Sequence, residues 1–302
     1  MNNLEPTNEE RIPAEAPKKQ GRGHFFCEKA PLLVMLVGSA FLVIFYPLLG
    51  TIASGLLKMA VPSLDPKITE YLLIAASSIV FLGVFKWWFS PDYEGSFPLH
   101  VPLGDAIRWT VPLWIFLGLC VVLEGVMNGF FFRIDFNIIA MCLYAGFFEE
   151  SIFRIFMVAI GMRYLSGENR VWWAVILSSV LFGLFHAGNI LGGAPVETTV
   201  HQVINSVLFG IFMAALVLRT GSVLPSAISH TLYDIIAMVT TPGIMDGVMH
   251  TTPDMTSYIE LALVLIPAYA GYRMIREHKA EILAIWEEKW SMTPAKEEAE
   301  SV

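Results

Sequence analysis

Long apolar runs alternate with short polar breaks along most of this chain. The runs cover approximately residues 31–56, 69–89, 106–130, 136–164, 171–191, 200–218, 222–241 and 257–275. Most of them reach the roughly 20 residues that a helix needs to cross a bilayer. The breaks contain the prolines, glycines and charged residues that are typical of connections between helices. The pattern predicts an all-α polytopic membrane protein of about eight transmembrane helices.

The composition supports a membrane protein and excludes several other classes. Hydrophobic residues make up 55% of the 302 residues, charged residues only 15%, and the mean hydropathy is +0.61. A soluble domain would contain about 25% charged residues. The net charge of −8 comes largely from acidic ends and loops, which argues against nucleic acid as a partner. Three scattered cysteines are too few for a disulfide framework or a thiolate metal site.

Basic residues beside the apolar runs are unevenly distributed, and this asymmetry predicts an orientation. The N-terminal cluster and the "RMIREHK" segment fall on one predicted side together with most of the other basic residues. Basic residues collect on the cytoplasmic side of a membrane protein. We therefore expect an integral protein of the cell membrane, the inner membrane of a prokaryote, with both termini in the cytoplasm.

The stretch "FFEESIFR" contains charged residues in the middle of an apolar run. Glu149, Glu150 and Arg154 lie between "FNIIAMCLYAG" and "IFMVAIGM", where each charge costs about 3 kcal/mol. Glu150 and Arg154 are four residues apart and share a helix face, so we expect them to form an ion pair. Glu149 points about 100° away from that face, and we expect it to face a reaction space. Taken alone, the ion pair would be a structural feature only.

Two further apolar runs also contain ionisable side chains. His186 follows "LFGLF", and His230 and Asp234 are four apart in "SHTLYD", which places them on one helix face. With Glu149 these groups can converge in a cavity between helices. Such a set can bind a divalent metal such as zinc through Glu149, His186, His230 and Asp234. Alternatively, Glu149 and His186 activate water while His230 stabilises an oxyanion.

A simpler interpretation is that these histidines are hydrogen-bond partners between helices and that Asp234 only fixes the tautomer of His230. The restriction of so many costly polar groups to three apolar runs favours a functional site instead.

Together the three clusters resemble the motifs of the CAAX prenyl endopeptidase and bacteriocin-processing (CPBP, or Abi) family of intramembrane proteases. The Glu-Glu-x3-Arg, Phe-x3-His and His-x3-Asn/Asp motifs of that family are matched in order by Glu149, Glu150, Arg154, Phe182, His186, His230 and Asp234. Each motif is short, but their order and their placement on successive apolar runs make the resemblance specific.

The resemblance implies peptide-bond hydrolysis in a catalytic cavity inside the bilayer. Glu149 and His186 would activate water, and His230 with Asp234 would stabilise the oxyanion. Glu150, Arg154 and Phe182 would shape the site. An ionised Asp234 cannot donate a hydrogen bond as the asparagine of other members does, so it orients His230, ligates a metal or stays protonated. No His-Glu-x2-His zinc helix is present in the sequence, and a divalent metal remains an open alternative.

The resemblance covers approximately residues 136–241, and together with the apolar pattern it divides the chain into four parts. We expect a polar cytoplasmic tail over 1–30, N-terminal transmembrane helices over 31–135, a catalytic core over 136–241, and the last transmembrane helix with a cytoplasmic tail over 242–302. The implied partners are the lipid bilayer and a hydrophobic or lipidated peptide or protein substrate.

Two other functions compete with the protease. A non-catalytic immunity or scaffold protein of the same fold would keep its phenotype after Glu149→Ala, whereas a protease would lose activity. A proton-coupled transporter would also use intramembrane carboxylates and histidines, and it would lose its flux in proteoliposomes after Glu149→Gln.

Overall fold

The computed structural model describes residues 23–241, the strand residues 244–245 and 248–249, and residues 251–292. Most of the predicted N-terminal tail and the last ten residues of the predicted C-terminal tail lie outside this described part.

Helices account for nearly all of the regular structure in the described residues. The α-helices are α1 (His24–Lys29), α2 (Pro31–Ala60), α3 (Pro66–Trp88), α4 (Leu103–Trp109), α5 (Val111–Asn128), α6 (Phe136–Glu149), α7 (Val158–Tyr164), α8 (Arg170–Phe185), α9 (Val196–Thr220), α10 (Leu224–Thr240), α11 (Met255–Leu263), α12 (Leu265–Glu277) and α13 (Lys279–Lys289). A π-helical segment, Glu150–Met157, joins α6 to α7, and a 3-10 turn, His186–Ile190, follows α8. Two short antiparallel strands, β1 (Ile244–Met245) and β2 (Val248–Met249), form a hairpin in which Ile244 pairs with Met249.

Six helical stretches of the described chain are long and apolar enough to cross a membrane, so the chain is an integral membrane protein. They are Pro31–Ala60, Pro66–Trp88, Leu103–Asn128, Arg170–Ile190, Val196–Thr220 and Met255–Glu277. The other two predicted spans are helical but differ from these six. The run 136–164 contains four charged residues, and α10 has only 17 residues.

Local sequence signals explain where several helices begin and end. Asp65 accepts a hydrogen bond from Ile68 N (3.0 Å) at the start of α3, and Asp135 accepts one from Asn137 N (2.8 Å) at the start of α6. Asp254 and Ser257 form a capping box before α11. Gly221, with a φ of 70°, ends α9 in the left-handed conformation that glycine adopts without strain.

The helix α9 lies at the centre of the bundle, and α2 lies at its edge. In the most apolar window of each helix, 67% of α9 is buried but only 17% of α2. The helix α9 packs against α8 and α12, while α6 packs between α3 and α10. Close approach is possible because small residues stand at the contacts, as where Gly210 of α9 meets Ser179 of α8. This packing brings the three motif-bearing segments together.

The helix α13 closes one end of the bundle. Trp286 donates from Nε1 to Leu218 O at the end of α9 (3.1 Å). Arg219 pairs with Glu281 (2.7 Å), and Arg170 pairs with Glu287 (2.8 Å). Arg170 and Arg219 are among the basic residues from which we predicted the cytoplasmic side. Both are therefore ion-pair partners of this closing helix.

Candidate active site

The motif Glu-Glu-x3-Arg lies where an α-helix changes into a π-helix. Glu149 is the last residue of α6, and the π segment begins at Glu150. Seven of the eight side chains in the π segment are buried, including Glu150 and Arg154. A π-helix is rare and is found frequently at functional sites. The backbone change thus falls between the two adjacent carboxylates.

Glu150 lies at the centre of a buried network of polar groups. Its Oε1 accepts a hydrogen bond from His230 Nδ1 (3.0 Å), and its Oε2 accepts one from Ser226 Oγ. Arg154 Nε lies 3.4 Å from Oε2, and both side chains of this pair are fully buried. The ion pair expected from the sequence spacing is therefore present. The same carboxylate also fixes α10 to the π segment.

Arg154 lies against the aromatic face of Phe182. The guanidinium carbon is 4.4 Å from the ring centroid, a cation–π contact that also links the π segment to α8. None of the three Arg154 nitrogens forms a hydrogen bond to another described residue. The charge of Arg154 is therefore balanced by Glu150 and by the aromatic ring.

His230 is approached by carboxylates on both of its ring nitrogens. Its Nδ1 donates to Glu150, while its Nε2 lies 3.7 Å from Glu149 Oε2 and 3.6 Å from Asp234 Oδ2. The sequence predicted that the two glutamates point apart, whereas both of them face the same imidazole. This is possible because the two nitrogens lie on different edges of the ring. It is Glu150 that holds the Nδ1 edge, and Asp234 lies on the opposite edge beside Glu149.

His186 begins the 3-10 turn immediately after α8. Its Nδ1 lies 3.0 Å from Phe182 O and donates to this carbonyl, because a carbonyl oxygen can only accept. This tautomer leaves the lone pair on Nε2. The Phe182 ring centroid is 5.0 Å from that of His186 and 5.9 Å from that of His230. Phe182 therefore touches both histidines as well as Arg154, and its ring and carbonyl position three site residues.

Two residues that contact the site were not predicted from the sequence. Ser226 donates to Glu150, and the Phe209 ring centroid lies 5.2 Å from that of His230. Ser226 is four residues before His230, so the spacing placed both on one face of α10. That spacing was the available signal for Ser226. Phe209 is one of many apolar residues in α9, and nothing in the sequence distinguished it.

The side chains do not form a metal-binding site. Within the described residues no three His, Cys, Asp or Glu side chains converge as a group that could hold a metal ion. Zinc ligands lie about 2.0–2.2 Å from the ion and are deprotonated towards it. The buried cation of Arg154, paired with Glu150 in the same cluster, opposes the binding of a second cation. The candidate set Glu149, His186, His230 and Asp234 therefore does not fit a divalent metal in this arrangement.

The motif-bearing part of the chain matches a known protein family. Residues 108–236, from α4 to α10, match the family described as "Type II CAAX prenyl endopeptidase Rce1-like". This segment is less than half of the chain, and over it the chain is similar to that family. The members are proteases, and the matched residues include every motif residue of the site, from Glu149 to Asp234. No curated protein matches the chain, and neither does any solved structure.

Proposed function

We propose that the protein is an intramembrane endopeptidase that hydrolyses a peptide bond in a membrane-associated protein or peptide. The similarity of residues 108–236 to a CAAX prenyl endopeptidase family supports this activity. The membrane helices support a substrate that reaches the site from the bilayer, as a hydrophobic or prenylated peptide does. The proposed catalytic groups are Glu149, His186, His230 and Asp234.

The observation that carries the proposal is the different surroundings of the two adjacent glutamates. Glu150 is bound by His230, Ser226 and Arg154, and its side chain is fully buried. Glu149 retains a small exposed fraction of 7%, and its nearest cation, His230 Nε2, is 3.7 Å away, beyond hydrogen-bond distance. A carboxylate that is held near the site but forms no bond to another side chain is available to accept a proton from water. Glu149 is therefore the proposed general base.

His186 and His230 take separate roles in this mechanism. The bond from His186 Nδ1 to Phe182 O orients its free Nε2, which assists Glu149 in holding and deprotonating the attacking water. His230 is fixed through Nδ1 by Glu150, so its Nε2 edge points towards Glu149 and Asp234. An N–H on that edge donates to the oxyanion of the tetrahedral intermediate, whose charge is otherwise costly away from water.

Asp234 stabilises the positive charge of His230 in this scheme. Its Oδ2 lies 3.6 Å from Nε2, close enough for electrostatic attraction but too far for a hydrogen bond. As an ionised carboxylate it cannot donate to the oxyanion itself. The imidazolium of His230, flanked by carboxylates, therefore supplies the N–H donor for the oxyanion. An asparagine at position 234 would supply a second donor.

A comparison of protein termini in cells tests the proposal. Cells would express the wild type, Glu149→Gln or Glu124→Gln at matched levels. Glu124 is a matched control because it is a glutamate of the membrane helix α5 outside the site. New protein termini are expected with the wild type and Glu124→Gln, and they should be missing with Glu149→Gln. Identical termini in all three strains would contradict the proposal and favour a non-catalytic membrane protein.

A further inference from the structure

The helix α9 is apolar along most of its length but has two amide side chains in its first half. Gln202 and Asn205 are three residues apart and lie on one helix face, whereas Val200 and Ile204 lie on another face. An amide that faces hydrocarbon without hydrogen bonds costs several kcal/mol. Two such residues within a membrane helix therefore indicate a polar surface next to them.

The amides belong to a continuous series of polar groups. Asn189 donates from Nδ2 to Gln202 Oε1 (2.8 Å), and the Asn205 side chain lies beside the hydroxyl group of Tyr233. Asn189 is three residues after His186 in the 3-10 turn, where side chains three apart lie above one another. The series therefore begins beside one catalytic histidine.

The other end of the series reaches the catalytic carboxylates. The Tyr233 ring is held between aromatic rings, with centroids 4.8 Å from Phe209 and 6.0 Å from Phe116. Phe209 also contacts the His230 ring, with centroids 5.2 Å apart, and His230 Nε2 lies 3.6 Å from Asp234 Oδ2. The polar strip, defined as Asn189, Gln202, Asn205 and Tyr233, thus joins the turn after α8 to the site.

All four residues of the polar strip are partly exposed. The bond between Asn189 and Gln202 uses one donor and one acceptor of the pair. The side-chain NH2 group of Gln202 and the side-chain oxygen Oδ1 of Asn189 form no hydrogen bond to another described residue. Water satisfies such groups and lipid does not. We infer that the polar strip lines a hydrated passage that carries water from the N-terminal end of α9 to the catalytic carboxylates.

The passage would serve the proposed hydrolysis, which consumes one water for each peptide bond. In that respect the inference rests on the proposed function. Its test does not, because the accessibility of a residue to water can be measured in a protein that has no activity.

Cysteine labelling in sealed vesicles tests the passage. Cys27, Cys120 and Cys142 are first replaced by alanine, and single cysteines are introduced as Gln202→Cys, Asn205→Cys, Val200→Cys, Ile204→Cys and Glu197→Cys. A charged, membrane-impermeant methanethiosulfonate reagent then identifies the water-accessible cysteines. It reacts with the thiolate, which forms only in contact with water. Val200 and Ile204 are the controls that face lipid, with exposed fractions of 51% and 44%. Glu197, exposed in the first turn of α9, marks the aqueous side from which the passage opens.

The cysteines at 202 and 205 are expected to react from the same side as the cysteine at 197. The cysteines at 200 and 204 should react on the order of 100-fold more slowly, although their side-chain positions are well exposed in the bundle. Each variant must first elute from size exclusion as the parent does. The inference is overturned if positions 202 and 205 are as unreactive as 200 and 204, or react only after detergent extraction.

The same labelling in a Glu149→Gln background separates this inference from the proposed function. Unchanged labelling in that background, with no cleavage by any form of the protein, would leave the passage standing and remove the protease. Cleavage by the wild type together with unreactive cysteines at 202 and 205 would support the protease and exclude the passage.

Discussion

At the scale of single residues, the site depends on two adjacent glutamates that have different surroundings. The sequence spacing predicted the ion pair of Glu150 with Arg154, because residues four apart meet on a helix. It did not predict the bond from Glu150 to His230, which joins residues 80 positions apart in the chain. That contact depends on how α6 and the π segment pack against α10, and no local pattern encodes this packing.

Arg154→Ala is expected to destabilise the protein. The substitution leaves the fully buried Glu150 without its cation, and breaking a buried ion pair by removing one partner costs about 3–5 kcal/mol. Thermal unfolding in detergent and the yield of purified protein measure this loss.

The matched control for Arg154→Ala is Arg273→Ala. Arg273 also pairs with a glutamate four residues on, Glu277, at 2.6 Å, but its side chain is 55% exposed. Removing an exposed pair has little effect on stability, so this variant should melt as the wild type does. Equal melting temperatures for the two variants would show that the Glu150–Arg154 pair has no structural role.

The arrangement of the candidate metal ligands also predicts that cleavage does not depend on a bound metal. The candidate ligands Glu149, His186, His230 and Asp234 do not converge on one point in the described structure. Purified protein dialysed against a strong chelator should therefore keep its turnover, with less than one metal ion per chain by elemental analysis. Loss of turnover that added zinc restores would show that the side chains rearrange around an ion.

At the scale of helices, the apolar pattern predicted most elements and missed the irregular ones. The predicted span from 69 to 89 corresponds to Pro66–Trp88, and the structure shows Asp65 as its N-cap. The π segment was not predicted, because no local sequence pattern distinguishes a π-helical turn from an α-helical one. Whether a turn widens depends on which side chains must reach tertiary partners. Here Glu150 and Arg154 must reach α10 and Phe182 of α8.

Gly146→Ala is expected to lower activity more than stability. A Cβ at Gly146 would collide with the Thr231 side chain and would lie 2.9 Å from Thr231 N and 3.0 Å from Ala227 O. The backbone of α10 must then move away from α6, which separates Glu149 from His230. A displacement of about 1 Å at a catalytic site can lower the rate about 100-fold. Steady-state cleavage rates and melting temperatures measure the two effects.

Gly118→Ala in α5 is the control for helix propensity. Apart from its chain neighbours and the backbone of its own helix, no described atom lies within 4 Å of a Cβ built at Gly118, so this variant should keep wild-type turnover. If Gly146→Ala were as active as Gly118→Ala, the close approach of α6 and α10 would not be needed for catalysis.

At the scale of the whole molecule, the sequence predicted an integral membrane protein, and the helices of the described chain confirm this prediction. The described chain has six stretches that meet the length and hydropathy of a span, where the sequence suggested about eight. The two remaining stretches, 136–164 and α10, contain Glu149, His230 and Asp234 of the proposed site, whereas His186 lies in the stretch Arg170–Ile190. The first is interrupted by the π segment, and α10 has only 17 residues.

The closing helix α13 could not be predicted, because its docking depends on distant partners. Lys289 is fully buried and donates to Gly95 O (2.6 Å), with Glu94 Oε2 at 3.4 Å. The rings of Tyr93 and Trp286 lie beside its ammonium group. Burial lowers the pKa of Lys289 to about 8, although Glu94 and Glu288 oppose the shift and Lys86 adds to it.

This lowered pKa predicts a dependence of stability on pH. The unfolded chain binds the Lys289 proton more tightly than the folded chain does, so the contribution of Lys289 to the free energy of unfolding rises between about pH 8 and its ordinary pKa of about 10.5. Below pH 8 the buried charge opposes folding. The melting temperature of wild type minus that of Lys289→Met should therefore increase from pH 7.5 to pH 10. Parallel melting curves for the two proteins over this range would contradict the assignment.

The central claim is that Glu149 activates water while Glu150 organises the site. The most direct test measures both turnover and melting temperature for wild type, Glu149→Gln and Glu150→Gln, reconstituted in liposomes with a fluorogenic prenylated peptide. The account predicts that Glu149→Gln loses about 10²- to 10⁴-fold in turnover and melts as the wild type does, while Glu150→Gln loses stability as well. Wild-type turnover by Glu149→Gln would contradict the account, whatever the behaviour of Glu150→Gln.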